Sequence, residues 1–212
     1  MRGPMARAIK LVFDIAFAMG SLIVLAPVLG VIALAIALES RGGVFFRQER
    51  LTLGARPFRV FKFRTMVKGA ERMGAGLAVE KDDMRVTRVG NFLRATSLDE
   101  LPQLLNMVKG EMSLIGPRAL PVAYLERWDE RQRRRLEVRA GLTGWAQIHG
   151  RNELPWPERL EMDVWYVENW SLGLDARIFV GTFAYLLSRR GVSDESGSVQ
   201  EFQAPEQRES RS

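Results

Sequence analysis

The chain has no cysteine and a single histidine, His149, among its 212 residues. The first absence excludes disulfides, thiolate zinc sites and cysteine nucleophiles. The second removes multi-histidine metal sites and most serine/histidine triads. Polar chemistry must therefore rest on carboxylates, Lys, Arg, hydroxyls and backbone. No internal repeat is present, and the length suits one good core with whatever the ends add. Lys and Arg number 31 against 25 Asp and Glu, a formal charge of +6. Such a balance favours an anionic partner: a phosphorylated substrate, an anionic lipid or a nucleic acid.

What is present begins with an apolar run. From Ile15 to Leu38 lie 24 residues without one charge, long enough to be membrane-embedded and longer than the apolar core of a cleaved signal. As a helix the run would measure roughly 36 Å, enough to cross a hydrocarbon core of about 30 Å. The flanks argue against a simple crossing. Arg2, Arg7 and Lys10 precede it and Arg41, Arg47, Arg50, Arg56, Arg59, Lys62 and Arg64 follow it, so both ends prefer the cytoplasmic side. Pro27 divides the run into halves of about 18 Å, each too short to cross and long enough to reach the midplane. The expectation is a helix-break-helix at Ala26 and Pro27 that enters and leaves by one face.

Beyond "ESRGG", Val44 to Phe63 reads as a β-hairpin turning at Gly54 and Pro57. Residues 67–82 read as a short helix and a loop. "LPQLLNMVKG" reads as an amphipathic helix, "MSLIGPR" as a short strand, and 119–141 as one charged helix. Further helices are expected at 156–169 and 175–187, followed by a hydrophobe-poor tail.

The stretch "TSLDELPQ", residues 96–103, carries two readings. Ser97 with Glu100 three places on is a capping-box pattern. Pro102 restricts the helix start to a cap at Ser97, Leu98 or Asp99, which puts Asp99 and Glu100 in the first turn in every case. A helix start also attracts phosphate. Arg85, Arg88, Arg94 and Arg118 flank the pair, so an ionised Asp beside a second carboxylate could bind a divalent metal and a diphosphate, or attack phosphorus itself.

"DIAFAMGSLIVLAPVLGVIALAIALESRGGVFFRQER", "PFRVFKFRTM", "TRVGNFLRATSLDELPQLLNMVKGEMSLIGPR" and "GLTGWAQIHGRN" resemble, in order, the motifs of the bacterial sugar transferases, also called monotopic phosphoglycosyl transferases. The resemblance runs from about residue 8 to residue 187. It implies an α/β membrane-associated, monotopic fold: a re-entrant helical hairpin over residues 1–40, a catalytic domain with interfacial helices over 41–191, and a disordered tail over 192–212. It implies transfer of a sugar-1-phosphate from a UDP-sugar to undecaprenyl phosphate with release of UMP, on the cytoplasmic face of the bacterial inner membrane, both termini cytoplasmic. By the resemblance Asp99 is the nucleophile, while Glu100 binds Mg²⁺ with it and helps to position or deprotonate. Lys62, Arg64, Arg88, Arg94, Pro117, Arg118 and Arg151 match positions that bind phosphate, and Thr143 and Gln147 lie in a loop that contacts nucleotide or sugar. Any one of these bases could equally make a structural salt bridge. His149 is expected to be structural, and Trp156, Trp165 and Trp170 to seat helices.

Departures from the family pattern are Ala26, Ala119 and Ala140, where Ser, Pro and Pro are usual. The first removes a hydroxyl that could satisfy a carbonyl freed by Pro27. With no large N-terminal membrane domain, the chain resembles the short members. Membrane lipid is the expected surroundings, and a homodimer is left open. A membrane-bound scaffold that binds anionic lipid is the competing function. Nucleic-acid binding is disfavoured, since no recognised module is present and the apolar run argues against it.

Overall fold

The computed structural model describes residues 3–70, 73, 83–150 and 154–188. Arg151, the tail 192–212 and most of the stretch 71–82 lie outside the described residues. The architecture is mixed α/β behind a long apolar N-terminal helix. Helix α1 (Pro4–Glu39) opens with proline at its first position, where its missing N–H is not needed, and ends at Ser40. It keeps helical assignment through Ala26 and Pro27, so the break expected there is at most a bend within one helix. Among the described residues α1 is the one helix long and apolar enough to cross a membrane.

One face of α1 packs on the rest of the chain. Ala18, Ile32 and Ile36 are buried, Leu22, Leu25 and Leu29 pack between them, and Val12, Met19, Ile23, Val31, Leu34 and Leu38 are exposed on other faces. The spacing 18, 22, 25, 29, 32, 36 is a helical stripe. Two polar side chains anchor the first half. The Asp14 carboxylate, 2% exposed, accepts from Ser113 Oγ at 2.6 Å and from the Leu114 N–H at 3.2 Å. Lys10 Nζ meets Asp175 Oδ2 at 2.7 Å, and the same carboxylate accepts from Tyr166 Oη at 2.7 Å and Trp170 Nε1 at 3.0 Å. Both charges sit on the face that meets protein, as polar groups in an apolar segment should.

Strands β1 (Phe45–Thr52) and β2 (Arg56–Phe63) form the expected antiparallel hairpin, pairing Phe45 with Phe63 and Thr52 with Arg56. Its turn uses left-handed conformations at Gly54 and Ala55. Helix α2 (Arg88–Ala95), not expected from the sequence pattern, is capped by Thr87 and by the Glu39 carboxylate, which accepts from the Val89 N–H at 3.1 Å. A 3₁₀ turn (Leu98–Gln103) then runs into helix α3 (Leu104–Val108). Buried Asn106 ties α3 to β2, accepting from the Phe61 N–H at 2.9 Å and donating to the Arg59 carbonyl at 2.9 Å.

Strand β3 (Met112–Ile115) is buried throughout and pairs in parallel with β4 (Ala140–Thr143), where the sequence pattern suggests a loop. Gly116, just past β3, and Gly141, inside β4, touch backbone to backbone, leaving no room for a Cβ on either. The single helix expected over 119–141 is corrected to three pieces: a 3₁₀ turn (Val122–Arg127), helix α4 (Glu130–Arg133) and a second 3₁₀ turn (Arg134–Glu137). The reason is a new start inside the stretch. Extended Trp128 stops the first turn, and Asp129 with Gln132 forms a capping box that begins the next. The one-turn α5 (Trp145–Ile148), α6 (Trp156–Asn169) and α7 (Leu172–Ser188) complete the described residues, α7 starting three residues earlier than expected.

Candidate active site

The acidic pair lies at the start of the 3₁₀ turn, between α2 and β2. Ser97 adopts a left-handed backbone, φ 57°, and makes no side-chain cap; its own N–H bonds the Arg94 carbonyl. The capping box read from Ser97 and Glu100 is therefore not formed. The 3₁₀ form keeps Pro102 inside it and buries Glu100 while leaving Asp99 partly exposed.

Glu100 is doubly paired. Its Oε1 accepts from Lys62 Nζ at 2.7 Å and from an Arg118 terminal nitrogen at 2.6 Å, and its side chain is 9% exposed against 36% for Arg118. Lys62 comes from β2, held in place by the Asn106 bonds to Phe61 and Arg59 one and three residues away. Arg118 comes from the loop after β3. The two bases respond in opposite directions. Burial pushes the Lys62 ammonium below its ordinary value, more than Glu100 restores. Glu100 holds the Arg118 guanidinium above its ordinary value, outweighing burial. Asp99 lies in the field of both and of Arg94. Arg94 is lowered by burial, with Asp99 opposing, and its Nε donates to Thr65 Oγ1 at 2.8 Å.

One cation of the cluster escaped the sequence reading as a site residue. Arg50, on β1, is lowered to about 10 by burial and by the neighbouring Arg118, with Glu100 opposing. Its terminal nitrogens donate to the Ala119 carbonyl at 3.2 Å and Gln48 Oε1 at 2.5 Å. Counting Asp99 and Glu100 against Lys62, Arg50, Arg94 and Arg118 leaves an excess of two positive charges. An anion of that charge would balance the group.

The other expected site residues divide. Arg64 is an end cap: it donates to the Arg41 carbonyl at 2.8 Å and to the Ser40 carbonyl and hydroxyl at 2.8 and 3.0 Å, closing α1. Arg88 is exposed in the first turn of α2, beside Glu39. Buried Pro117 gives its carbonyl to the Gly141 N–H at 2.8 Å. The Thr143 hydroxyl bonds Thr182 of α7 at 2.9 Å. Gln147 is buried, and neither of its side-chain polar atoms has a partner among the described residues. The His149 ring lies tilted against that of Trp145, centroids 3.9 Å apart, and one ring nitrogen bonds the Trp145 carbonyl at 2.8 Å.

Sequence reasoning also missed Arg135 and Asp163, the most buried ion pair among the described residues, at 2.6 Å with side chains 1% and 6% exposed. Burial pushes the Asp163 carboxyl up, against the pull of Arg135. Nothing in "RQRRRLE" marks which arginine turns inward.

Among the described residues no group of three or more His, Asp or Glu side chains is placed to hold a metal ion by itself. Two adjacent carboxylates nonetheless suit Mg²⁺, which commonly takes one or two carboxylates and completes its shell with water and substrate phosphate. Asp99 is the more exposed of the two carboxylates, and both oxygens of Glu100 already accept from Arg118 or Lys62.

The bacterial sugar transferase model matches residues 5–189. Among similar proteins, an uncharacterized sugar transferase, EpsL, of Bacillus subtilis is 46% identical over 157 residues, 74% of this chain and 76% of its own length. A UDP-glucose:undecaprenyl-phosphate glucose-1-phosphate transferase of Escherichia coli is 44% identical over 180 residues, 81% of this chain but 39% of its own length. The exopolysaccharide production protein ExoY of Sinorhizobium fredii is 37% identical over 202 residues, 89% of each chain. With a match across nearly all the described residues, on a fold that gathers the acidic pair and its bases at one place, the chain belongs to the bacterial sugar transferase family.

Proposed function

We propose that the chain is a phosphoglycosyl transferase that moves a sugar-1-phosphate from a UDP-sugar to undecaprenyl phosphate at the cytoplasmic face of the bacterial inner membrane. The observation that carries this reading is the division within the acidic pair: Glu100 is buried and held by two cations, while its neighbour Asp99 is more exposed inside the same positive cluster. A carboxylate held that way anchors a site; the more exposed one is accessible to substrate. The names of the relatives from Escherichia coli and from Aeromonas hydrophila, an N-acetylgalactosaminephosphotransferase acting on undecaprenyl phosphate, support the class of donor and acceptor.

In the first step an Asp99 carboxylate oxygen attacks the phosphorus that bears the sugar. The bond to the bridging oxygen breaks and UMP leaves, giving an aspartyl phosphosugar. In the second step an oxygen of the lipid phosphate attacks the same phosphorus and Asp99 leaves as the carboxylate, so charge and atoms balance. Lys62, Arg94 and Arg118 hold the phosphate oxygens with the N–H groups that are not directed at Glu100, and Glu100, which takes both terminal nitrogens of Arg118, fixes Lys62 and Arg118 in position. Mg²⁺, held by Asp99 and Glu100 together with substrate phosphate, would supply charge neutralisation of the diphosphate. Arg88, Thr143, Gln147 and Arg151 belong to the same proposal as nucleotide or sugar contacts, and Gln147, with an amide unpartnered among the described residues, is the one whose surroundings most favour it.

Residues 1–40 hold the chain in the membrane in this reading, and 41–191 carry the chemistry. Both ends of α1 bond to the same polar domain, Lys10 to Asp175 at one end and Ser40 to Arg64 at the other. That favours a helix that enters and leaves by one face over one that crosses. The test is intact-mass measurement of the purified chain with a panel of UDP-sugars and Mg²⁺, alongside released UMP. The expected result is a gain of one sugar phosphate, abolished in Asp99→Asn. If the Asp99→Asn variant still forms the adduct, Asp99 is removed as nucleophile, and a wild type that neither gains mass nor releases UMP would leave a lipid-binding scaffold.

A further inference from the structure

Arg118 leaves the chain from the loop Gly116 to Leu120, and the backbone there is bonded residue after residue. The Gly116 N–H donates to the Thr143 carbonyl at 2.9 Å, and the Pro117 carbonyl accepts from the Gly141 N–H at 2.8 Å. The Leu120 carbonyl accepts from the Leu51 N–H at 3.0 Å. The two carbonyls between them go to guanidinium groups from different elements. That of Arg118 accepts from Arg135 at 2.6 Å, and that of Ala119 from Arg50 at 3.2 Å. Arg135 is in turn fixed by Asp163, which accepts from its Nε at 3.1 Å and a terminal nitrogen at 2.6 Å, with Trp128 lying 5.0 Å beneath the guanidinium.

We propose that Arg135, with Asp163, and Arg50 are positioning residues: they fix the backbone from which Arg118 reaches Glu100 and the donor phosphate, and touch neither. Stability alone is a poor account of Arg135 and Asp163, because a buried ion pair can often be replaced by apolar residues of similar volume without loss. What a guanidinium adds is a planar fork that holds two acceptors at a set angle, here the Asp163 carboxylate and the Arg118 carbonyl. Displacing a phosphate-binding group by about 1 Å can lower a rate by about 100-fold. A clamp on two successive carbonyls is the device that prevents it.

The inference rests on the reaction proposed above, and a double-mutant cycle separates the two. Arg135→Lys, Arg118→Lys and the double variant are made in the full chain in detergent or nanodiscs. For each, kcat and KM for the UDP-sugar are measured from UMP release, with Tm alongside. Arg135→Lys alone is expected to lower kcat/KM about tenfold, and the same change made on top of Arg118→Lys to alter it less than about twofold, because what it positioned is already gone. Multiplying effects would make Arg135 merely structural and overturn the proposal. If Arg135→Lys fails to fold, Arg50→Lys is carried through the same cycle, and multiplying effects there overturn it equally. A wild type without UMP release overturns the reaction itself, and the positioning role with it.

Discussion

Arg134 and Arg135 are adjacent in sequence and opposite in environment. Arg134, with Arg131, belongs to a surface network with Glu137, Glu161 and Glu168, at 2.5 to 3.3 Å and with side chains 31–53% exposed. Arg135 pairs with Asp163 at 1% exposure and leads through the Arg118 carbonyl toward Glu100. By residue type and distance the two networks are alike. Water separates them: exposed pairs are screened and hold long side chains at an entropic cost that cancels most of their attraction, whereas buried ones bear a desolvation penalty and in return do not move. Charge pairs in this molecule therefore matter in proportion to what they orient.

The comparison is sharpened most by Glu100→Gln, which leaves Lys62 and Arg118 without their shared carboxylate. The expected loss is about two to three orders of magnitude in kcat, measured by UMP release. An effect under about threefold would place Glu100 among the surface pairs. Next comes Asp163→Asn, which strands Arg135 in the interior. It should destabilise the chain by about 3–5 kcal/mol, roughly 10 °C in Tm by calorimetry.

A third expectation follows from Lys62. Burial holds its ammonium below the ordinary value of 10.5, so with rising pH it loses its charge earlier than a free lysine would. The activity profile should fall on its alkaline side below that value, and Lys62→Arg should move the fall upward. Stability takes the other sign. Between the two values the unfolded chain binds the extra proton, so this group's contribution to the unfolding free energy rises with pH there. The smallest effect is expected for Arg131→Ala, which should leave kcat unchanged and Tm without a resolvable shift. A clear loss of activity would break the distinction between the networks.

Much of the fold was legible in the residues because their patterns are local. The uncharged run, the hairpin with Gly54 at its turn, and the apolar spacing along α6 each depend on near neighbours. β4 was not legible: it is four residues long, contains Gly141 and shows no alternation, since its place is set by backbone contact with Gly116. The helix over 119–141 failed at Asp129, whose cap outweighed the helical propensity around it. At the site, Asp99, Glu100, Arg94 and Arg118 could be read as a group because acids and bases cluster in that part of the chain, whereas Lys62, far off in sequence, entered only through the family resemblance. Arg64 matched the family motif yet closes α1, and Arg135 hid in a run of identical side chains. Burial of one arginine among three depends on packing partners 28 residues away, which no local pattern carries.

Three consecutive residues at and just past the end of β2 bear on how the proposed reaction would meet its lipid. Lys62 grips Glu100, Phe63 packs beneath Ile32 and Ile36, and Arg64 closes α1. In the proposed reaction the Asp99 carboxylate is thereby surveyed from a benchmark on the apolar helix, and its height above a bilayer holding that helix would be fixed to the length of a strand end. A polyprenyl phosphate that cannot leave its leaflet would then arrive at one altitude whatever its direction of approach. Encounter becomes a search over a plane, with the third dimension already settled by the fold.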